Sequence, residues 1–391
     1  MPARRIVITD DCTGCGYCST VVECPAGDPR WDLERCVGCG ACVPACPREA
    51  RRLEEVKAEP IEVTIDGETL EVEARWVEGA LQEAGIDIEA PCGVGGCYAC
   101  AVEVDGRIRP ACNTGLEEGT EIETEDVDRA RRVLSGFQPH PVGGVGTPIE
   151  LKDKPGYVEA ACFAHGCNLR CPQCQNHSIA FGAATGAVLR PEEAAKLLVG
   201  TAREYGVNRV AISGGEPTLN PDFLIPFVEN CRRLGGPDLR IHVDTNGTYL
   251  TPEYVDELVE AGMTDIGIDV KGFTPETFAR VAGVDEDEAE RLLSNVLSIL
   301  EYIANEHEDV FLGVGIPYNP ELTTMEEVKR LVDWIHSRLG EEVQVCFLDY
   351  RPEFRRMDMS PPRYEEMVEL ERYAKSLGFE RVHAQKTSTI R

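Results

Sequence analysis

Three cysteines share one short stretch, Cys167-Asn168-Leu169-Arg170-Cys171-Pro172-Gln173-Cys174, just after the apolar run 157–163. A C-x3-C-x2-C triplet puts three thiolates on one loop, enough for three corners of a cubane [4Fe–4S] cluster, whereas a cluster that only carries electrons normally takes four cysteines. The fourth iron is then open. An open position separates a catalytic metal site from a closed structural one, so this loop is expected to bind something small at iron. Chemistry there needs low-potential electrons, and the first third of the chain looks like their supply.

Two runs precede it: Cys12-x2-Cys15-x2-Cys18-x5-Cys24-Pro25 and Cys36-x2-Cys39-x2-Cys42-x3-Cys46-Pro47. Paired C-x2-C also suits tetrahedral zinc, but two Cys-Pro endings and no nearby histidine favour iron–sulfur clusters. The second run resembles that of bacterial ferredoxins, in which the fourth cysteine of each run serves the other cluster. By that resemblance Cys12, Cys15, Cys18 and Cys46 hold one cluster, and Cys36, Cys39, Cys42 and Cys24 the other. The first run departs from the pattern by two extra residues before Cys24. Further on, Cys92-x4-Cys97-x2-Cys100 and a later Cys112 resemble the β-grasp [2Fe–2S] ferredoxins, which implies Cys92 and Cys97 on one iron and Cys100 and Cys112 on the other. The cofactors expected are three [4Fe–4S] clusters and one [2Fe–2S] cluster.

The elements that must position these cysteines follow from periodicity. Residues 61–72 alternate around Asp66-Gly67, a hairpin signal, and a second hairpin turns at Asp105-Gly106. A short helix is expected over Val77–Ala84. Residues 135–156, dense in proline and glycine, read as a linker in which His140 is solvated. After it, β-branched runs at 158–163, 209–213, 239–245, 265–270, 310–316 and 343–348 alternate with helical patterns at 191–205, 252–261, 287–305 and 325–339. Such alternation implies a parallel sheet with right-handed crossovers, an α/β partial (β/α)6 TIM-like barrel. The expected domains are 1–58, 59–134 and 157–391, with 135–156 between them. Unusual residues gather at the strand ends, where parallel barrels carry their working face: the cysteine loop, Gly214-Gly215-Glu216-Pro217, Asp244-Thr245-Asn246, Asp269-Val270-Lys271, and the stretch after 316.

Together these motifs resemble the radical S-adenosylmethionine (SAM) superfamily, and within it the relatives of pyruvate formate-lyase activating enzyme. The AmmeMemoRadiSam-system member is similar through Cys174-Gln175-Asn176, Asp269-Val270-Lys271-Gly272-Phe273 and Arg351-Pro352-Glu353-Phe354-Arg355-Arg356-Met357-Asp358. The resemblance implies that the open iron chelates SAM and that a 5′-deoxyadenosyl radical abstracts hydrogen from a substrate. It places Gly214, Gly215, Glu216 and Pro217 at the methionine amine, through backbone and carboxylate. Asp244, Thr245, Asn246 and Asp269 fall near the ribose or a monovalent cation, and Lys271 at the methionine carboxylate. The residue before the third cysteine is usually aromatic in that family; here it is Gln173. Tyr318, Asn319, Asp349, Tyr350 and Arg351 are candidates to meet substrate, and His165 is either a proton donor or a loop support.

Composition narrows the function further. The chain has 391 residues and a formal charge of -30, which repels nucleic acid. The start, Met1–Asp10, lacks a secretory pattern, and no run of about 20 apolar residues marks a membrane span. Eighteen cysteines in tight clusters fit metal sites in a reducing cytoplasm better than disulfides. Cys162, Cys231 and Cys346 lie on apolar elements and read as buried small hydrophobes. The expectation is a radical SAM oxidoreductase fed by an external electron donor, acting on a small molecule, a peptide or a partner protein. A glycyl-radical-enzyme activase is one form of it. The alternatives are an iron–sulfur electron carrier without SAM chemistry and a methyl-transferring radical enzyme.

Overall fold

The computed structural model describes residues 3–28 and 33–386; Met1 and Pro2, part of the start read as non-secretory, lie outside them. In the first cysteine-rich unit, strands β1 (Arg4–Ile8) and β2 (Arg51–Glu55) pair antiparallel, and the short helix α1 (Tyr17–Val21) lies between them in sequence. The pairing brings the start and the end of the unit together and leaves both cysteine runs as loops off one small sheet.

A five-stranded sheet follows. It is built from β3 (Ile61–Ile65), β4 (Glu68–Val72), β5 (Ala101–Val104), β6 (Arg107–Pro110) and β7 (Glu121–Glu123) in the order β4-β3-β7-β5-β6, with α2 (Val77–Glu83) beside it. Both hairpin turns form as expected. Asp66 (φ 49°) and Gly67 (φ 81°), like Asp105 (φ 47°) and Gly106 (φ 73°), take the left-handed pair that a two-residue turn needs to match strand twist. Trp76, Leu81 and Ile122 are fully buried between sheet and helix.

The rest forms one nine-stranded sheet. Its elements are β8 (Arg132–His140), α3 (Ile149–Lys152), β9 (Glu159–Ala164), α4 (His177–Ala180), β10 (Ala187–Leu189), α5 (Pro191–Glu204), β11 (Arg209–Gly214), α6 (Pro221–Gly235), β12 (Arg240–Thr245), α7 (Pro252–Ala261), β13 (Asp265–Asp269), α8 (Pro275–Ala282), α9 (Glu286–Glu306), β14 (Phe311–Tyr318), α10 (Met325–Leu339), β15 (Gln344–Asp349), α11 (Tyr364–Ser376) and β16 (Val382–Ala384). The order is β10-β8-β9-β11-β12-β13-β14-β15-β16; β9 and β11 to β16 run parallel to one another as in a partial TIM barrel, and β8 and β10 are antiparallel additions at one edge. Proline at the first turn of α5, α6, α7 and α8, with Asn220, Thr251 and Thr274 capping the last three, starts each crossover helix cleanly. None of the described helices is long and apolar enough to cross a membrane.

The stretch expected as a linker is part of the barrel. Through residue 140 it is β8, antiparallel to β9 with a bulge between Ser135 and Gln138. Gly136 takes φ 69° there, and a β-carbon on it would fall 2.7 Å from the Phe163 ring. The strand β10 covers only Arg132–Leu134, so Pro139 sits where one strand edge is free of partners and a missing N–H costs nothing. His140 is not a solvated linker side chain, since its ring meets Phe163 edge-on at 5.8 Å. Residues 144–147 then enter the amino-terminal end of the barrel. Gln344 donates to the carbonyls of Val145 and Thr147 at 2.8 Å, Arg209 donates to Gly146 at 2.9 Å, and a β-carbon on Gly313 would strike the Val145 carbonyl.

The same end holds a buried ion network. Arg209 lies 3.2 Å from both Glu159 and Asp265, and all three side chains are nearly inaccessible. Removing the cation leaves buried Glu159 to the Thr147 and Tyr157 hydroxyls alone, while Asp265 keeps Arg240 at 3.1 Å. Arg209→Leu is therefore expected to lower the unfolding free energy by about 3–5 kcal/mol, read as a lower urea midpoint with unchanged slope. A midpoint equal to that of the parent chain would mean that the carboxylates had found other partners.

Candidate active site

The carboxyl ends of the parallel strands surround a cavity of ≈190 Å³ lined by Cys167, Cys171 and Cys174 from the loop after β9. Gly214 and Gly215, Asp244, Thr245 and Asn246, Asp269 and Lys271, and Tyr350 line it as well, each from the end of a different strand. The sequence reading thus placed most of the site residues on one rim. Gly166 (φ 86°) opens the cysteine loop, and Gly215 accepts no side chain because a β-carbon would lie 2.2 Å from the Gly166 carbonyl. The hydrogen bonds Gly215 N to Ala164 O and Glu216 N to Gly166 O, both 2.8 Å, then lock the two loops together.

Contrary to the expectation that they meet the methionine amine, Glu216 and Pro217 do not line the cavity. Glu216 is fully buried, and its carboxylate accepts from Thr218 N (3.0 Å), Thr218 Oγ1 (2.7 Å), Thr245 Oγ1 (2.6 Å) and Asn246 N (2.7 Å). Burial holds its pKa above the usual carboxylate range despite these donors. With its oxygens engaged inside the protein, Glu216 ties β11's loop to β12's and is not a cavity wall. Pro217 is buried behind it. Gln173, at the position where an aromatic was expected, points away from the cavity. It is 1% exposed and donates to the Val281 carbonyl at 2.9 Å, anchoring the cysteine loop to α8.

Lys271 is the cation of the site. Burial alone would lower its pKa, but the Asp269 carboxylate at 2.9 Å leads the groups that hold it well above its ordinary value, and Tyr350 Oη lies 3.1 Å away. Asp244 is held below the usual range because His242, 3.4 Å off, and the Val145 N–H outweigh its burial. Of the residues expected to meet substrate, only Tyr350 lines the cavity. Asn319 supports a loop through the carbonyls of Tyr350 and Ser360, both at 2.8 Å; Tyr318 and Asp349 are buried, and Arg351 is exposed. His165 is the loop support: buried, it joins Ser135 Oγ (2.9 Å) and the Gly182 carbonyl (2.7 Å). Cys162, Cys231 and Cys346 are buried, as expected.

The donor sets fit iron–sulfur clusters. Burial pushes the Cys167 thiol up to about 12 and raises Cys171 and Cys174, so these sulfurs ionise readily only beside a cationic core. Cys12, Cys15, Cys18 and Cys46 line one cavity, of ≈220 Å³, and Cys24, Cys36, Cys39 and Cys42 line a second, with Arg51 on the wall of both. Each cavity thus draws three cysteines from one run and one from the other. Cys92, Cys97, Cys100 and Cys112 are buried together, and Cys92 interacts with both Cys97 and Cys112. Among the described residues no three His, Cys, Asp or Glu side chains close on a single ion, the arrangement that zinc would need.

Sequence reasoning missed three buried or half-buried arginines around the site. Arg132 is fully buried and donates to the carbonyls of Pro217 (3.0 Å), His165 (3.3 Å) and Glu216. Arg170 donates to the carbonyls of Cys92 (2.8 Å) and Cys167. Arg355 donates to Cys46 (3.0 Å), Val43 (3.1 Å) and Pro44 (3.0 Å). Each spans segments too far apart in sequence for any local pattern to announce.

The model of the radical SAM superfamily matches residues 162–335, that of the 4Fe–4S binding domain 29–52, and that of the 2Fe–2S iron–sulfur cluster binding domain 63–134. A protein of Methanocaldococcus jannaschii named as a glycyl-radical enzyme activating enzyme is 26% identical over 226 residues, 57% of this chain and 87% of its own length. The GTP 3′,8-cyclase of Nautilia profundicola is 27% identical over 54% of this chain and 62% of its own. Streptococcus suis SuiB bound to S-adenosylmethionine superposes with a TM-score of 0.42 at 16% identity, covering 57% of this chain and 45% of that one. The chain thus spans less than two thirds of the cyclase and of SuiB. With the superfamily model lying over the cysteine loop and most of the strands that frame the cavity, residues 162–335 form a radical SAM superfamily domain, with 4Fe–4S and 2Fe–2S binding domains fused ahead of it.

Proposed function

We propose that the barrel cleaves SAM reductively at Cys167, Cys171 and Cys174 and that a hydrogen atom is then taken from a substrate held over the rim. The observation that carries this reading is the convergence of these cysteines, Gly214-Gly215 and the Asp269–Lys271 pair on one cavity. A four-iron cluster with one open iron supplies one-electron cleavage of a sulfonium carbon–sulfur bond. The chain's own residues do the rest. The three cysteines hold three irons and leave the fourth free. Gly214 and Gly215 offer backbone to the methionine amine, and Lys271, oriented by Asp269, neutralises the methionine carboxylate as a compact charge. Asp244, Thr245 and Asn246 form the wall nearest the ribose, with Glu216 holding that wall in place.

In this reading residues 1–58 carry two [4Fe–4S] clusters on the two four-cysteine sets, and residues 59–134 carry the [2Fe–2S] cluster on Cys92, Cys97, Cys100 and Cys112. Residues 157–391 form the catalytic unit, and 135–156 serve both as connection and as barrel wall. An external one-electron donor in a reducing cytoplasm feeds the clusters. The substrate class favoured is a partner enzyme that receives a glycyl radical. The support for it is the similarity to the M. jannaschii protein over most of that protein's length.

Anaerobically reconstituted protein given a one-electron reductant and SAM is expected to form 5′-deoxyadenosine and methionine in equal amounts, and Cys171→Ala to form neither. Intact clusters with no 5′-deoxyadenosine would leave the electron-carrier reading standing. Lys271→Met should weaken SAM binding by about 10- to 100-fold, the loss of one charge-assisted contact, measured by titrating the SAM-induced change in the cluster's EPR signal. Deuterium carried from a labelled glycine of the partner into 5′-deoxyadenosine would identify the substrate class; its transfer from a small metabolite instead would replace it.

A further inference from the structure

The four cysteine sets are arranged as a closed ring, each joined to the next by a named side chain. Arg51, 3% exposed, lines the cavities of both four-cysteine sets and lies 3.8 Å from Cys42 Sγ. Asn113, next to Cys112, has its Oδ1 3.4 Å from Cys39 Sγ and donates to the Glu23 carbonyl, beside Cys24, at 2.7 Å. Arg170 joins the carbonyls of Cys92 and Cys167. Arg355 closes the ring. Its backbone N–H donates to the Pro172 carbonyl at 2.9 Å and its Nε to the Cys46 carbonyl at 3.0 Å.

Both contacts on the catalytic loop are tight. A β-carbon on Gly166 would fall 2.8 Å from Cys92 Cβ and 3.1 Å from its Sγ, so the Cys92 sulfur touches the residue before Cys167. On the other side Tyr17, next to Cys18, hydrogen-bonds His177, three residues past Cys174. His177 stacks on Phe354 at 4.8 Å, and Phe354 precedes Arg355. Electron tunnelling falls steeply with gap, and bonded contacts carry it better than open space. A linear wire would touch the catalytic loop once. Here it is touched twice, by residues of two different cysteine sets at opposite ends of the triplet.

We propose that the catalytic cluster has two electron inlets. One runs from the [2Fe–2S] site through Cys92, Arg170 and Cys167; the other runs from the Cys12/Cys15/Cys18/Cys46 site through Arg355 and Tyr17 to the Cys171–Cys174 segment. The inference rests on the cluster assignment proposed above. Each transfer moves one electron: the donor cluster is oxidised by one and the catalytic cluster reduced by one, no bond forms or breaks, and a reduced flavodoxin- or ferredoxin-type protein restores the donor. The two arginines act as positioning residues, holding the donor loops against the acceptor loop.

The test uses the full-length reconstituted chain. In freeze-quench EPR, reduced flavodoxin is mixed with protein and SAM, and the SAM-sensitive signal is timed. Arg170→Gln and Arg355→Gln are each expected to slow its appearance by about twofold, as for the loss of one of two parallel paths, and the double variant by tenfold or more, a non-additive result. If one single variant gives the whole loss and the other none, the wire is linear and the proposal is overturned; two silent single variants overturn it as well. A second readout needs no variant. In fully reduced unaltered protein the SAM-sensitive signal should be broadened by spin coupling to two neighbours, one of them with a [2Fe–2S] signature; broadening by a single neighbour overturns the proposal. Absence of any SAM-sensitive signal would instead remove the catalytic reading itself.

Discussion

The arrangement depends on a steric constraint: two loops from different parts of the chain approach so closely that only glycine fits between them. A β-carbon on Gly96 would lie 2.6 Å from the His165 carbonyl carbon, and Gly166 is similarly pressed against Cys92. Glycine is conformationally costly, and it is kept where backbone must meet backbone. These contacts make the β-grasp domain one wall of the barrel. Val133 N–H donates to Gly96 O and His165 N–H to Val133 O, both at 3.0 Å, while Asn220 reaches back to Cys97 O at 3.0 Å. Because the contacts are buried, the hydrogen bonds between the cysteine loops act at low dielectric, where they tune a cluster most.

Charge follows the same geometry. The chain is strongly acidic overall, yet three of the four side chains that join the cysteine sets are cationic, Arg51, Arg170 and Arg355, with neutral Asn113 as the fourth. Thiolate-bound clusters are anionic, and arginine keeps its charge when buried, as lysine often does not. Backbone carbonyls accept from Arg170 and Arg355, which lowers the desolvation cost of burying those charges. Acidic side chains also sit at the site, with Glu216 buried behind the rim and Asp244 and Asp269 on the cavity wall, each met by donors or a cation.

Much of this was legible in the sequence, for physical reasons. Cysteine spacing fixes which sulfurs share a loop, and each of the two cavities draws one cysteine, Cys46 or Cys24, from the other run. Asp66-Gly67 and Asp105-Gly106 dictate their turns locally, and the prolines that open α5 to α8 announce helix starts. What escaped notice is non-local. Gly136 and Pro139 read as linker residues because their composition is that of a loop, whereas they serve a bulge on a strand with one free edge. Glu216 looked like a ligand group because its motif faces the rim; only the folded chain shows four donors from Thr218, Thr245 and Asn246 converging on it. Gln173 marked a departure from the family pattern, and its partner, the Val281 carbonyl, lies in a helix that no motif connects to it.

The segment at 144–147 bears on traffic. Its backbone fills the amino-terminal mouth of the barrel, where Gln344 and Arg209 grip it, and reaches up to Asp244 on the cavity wall. Molecules must therefore come and go across the opposite rim, past Lys271 and Tyr350. A folded macromolecule is too wide to pass there and can insert only an extended loop or a chain end, so any protein acted on must first release such a segment from its own fold.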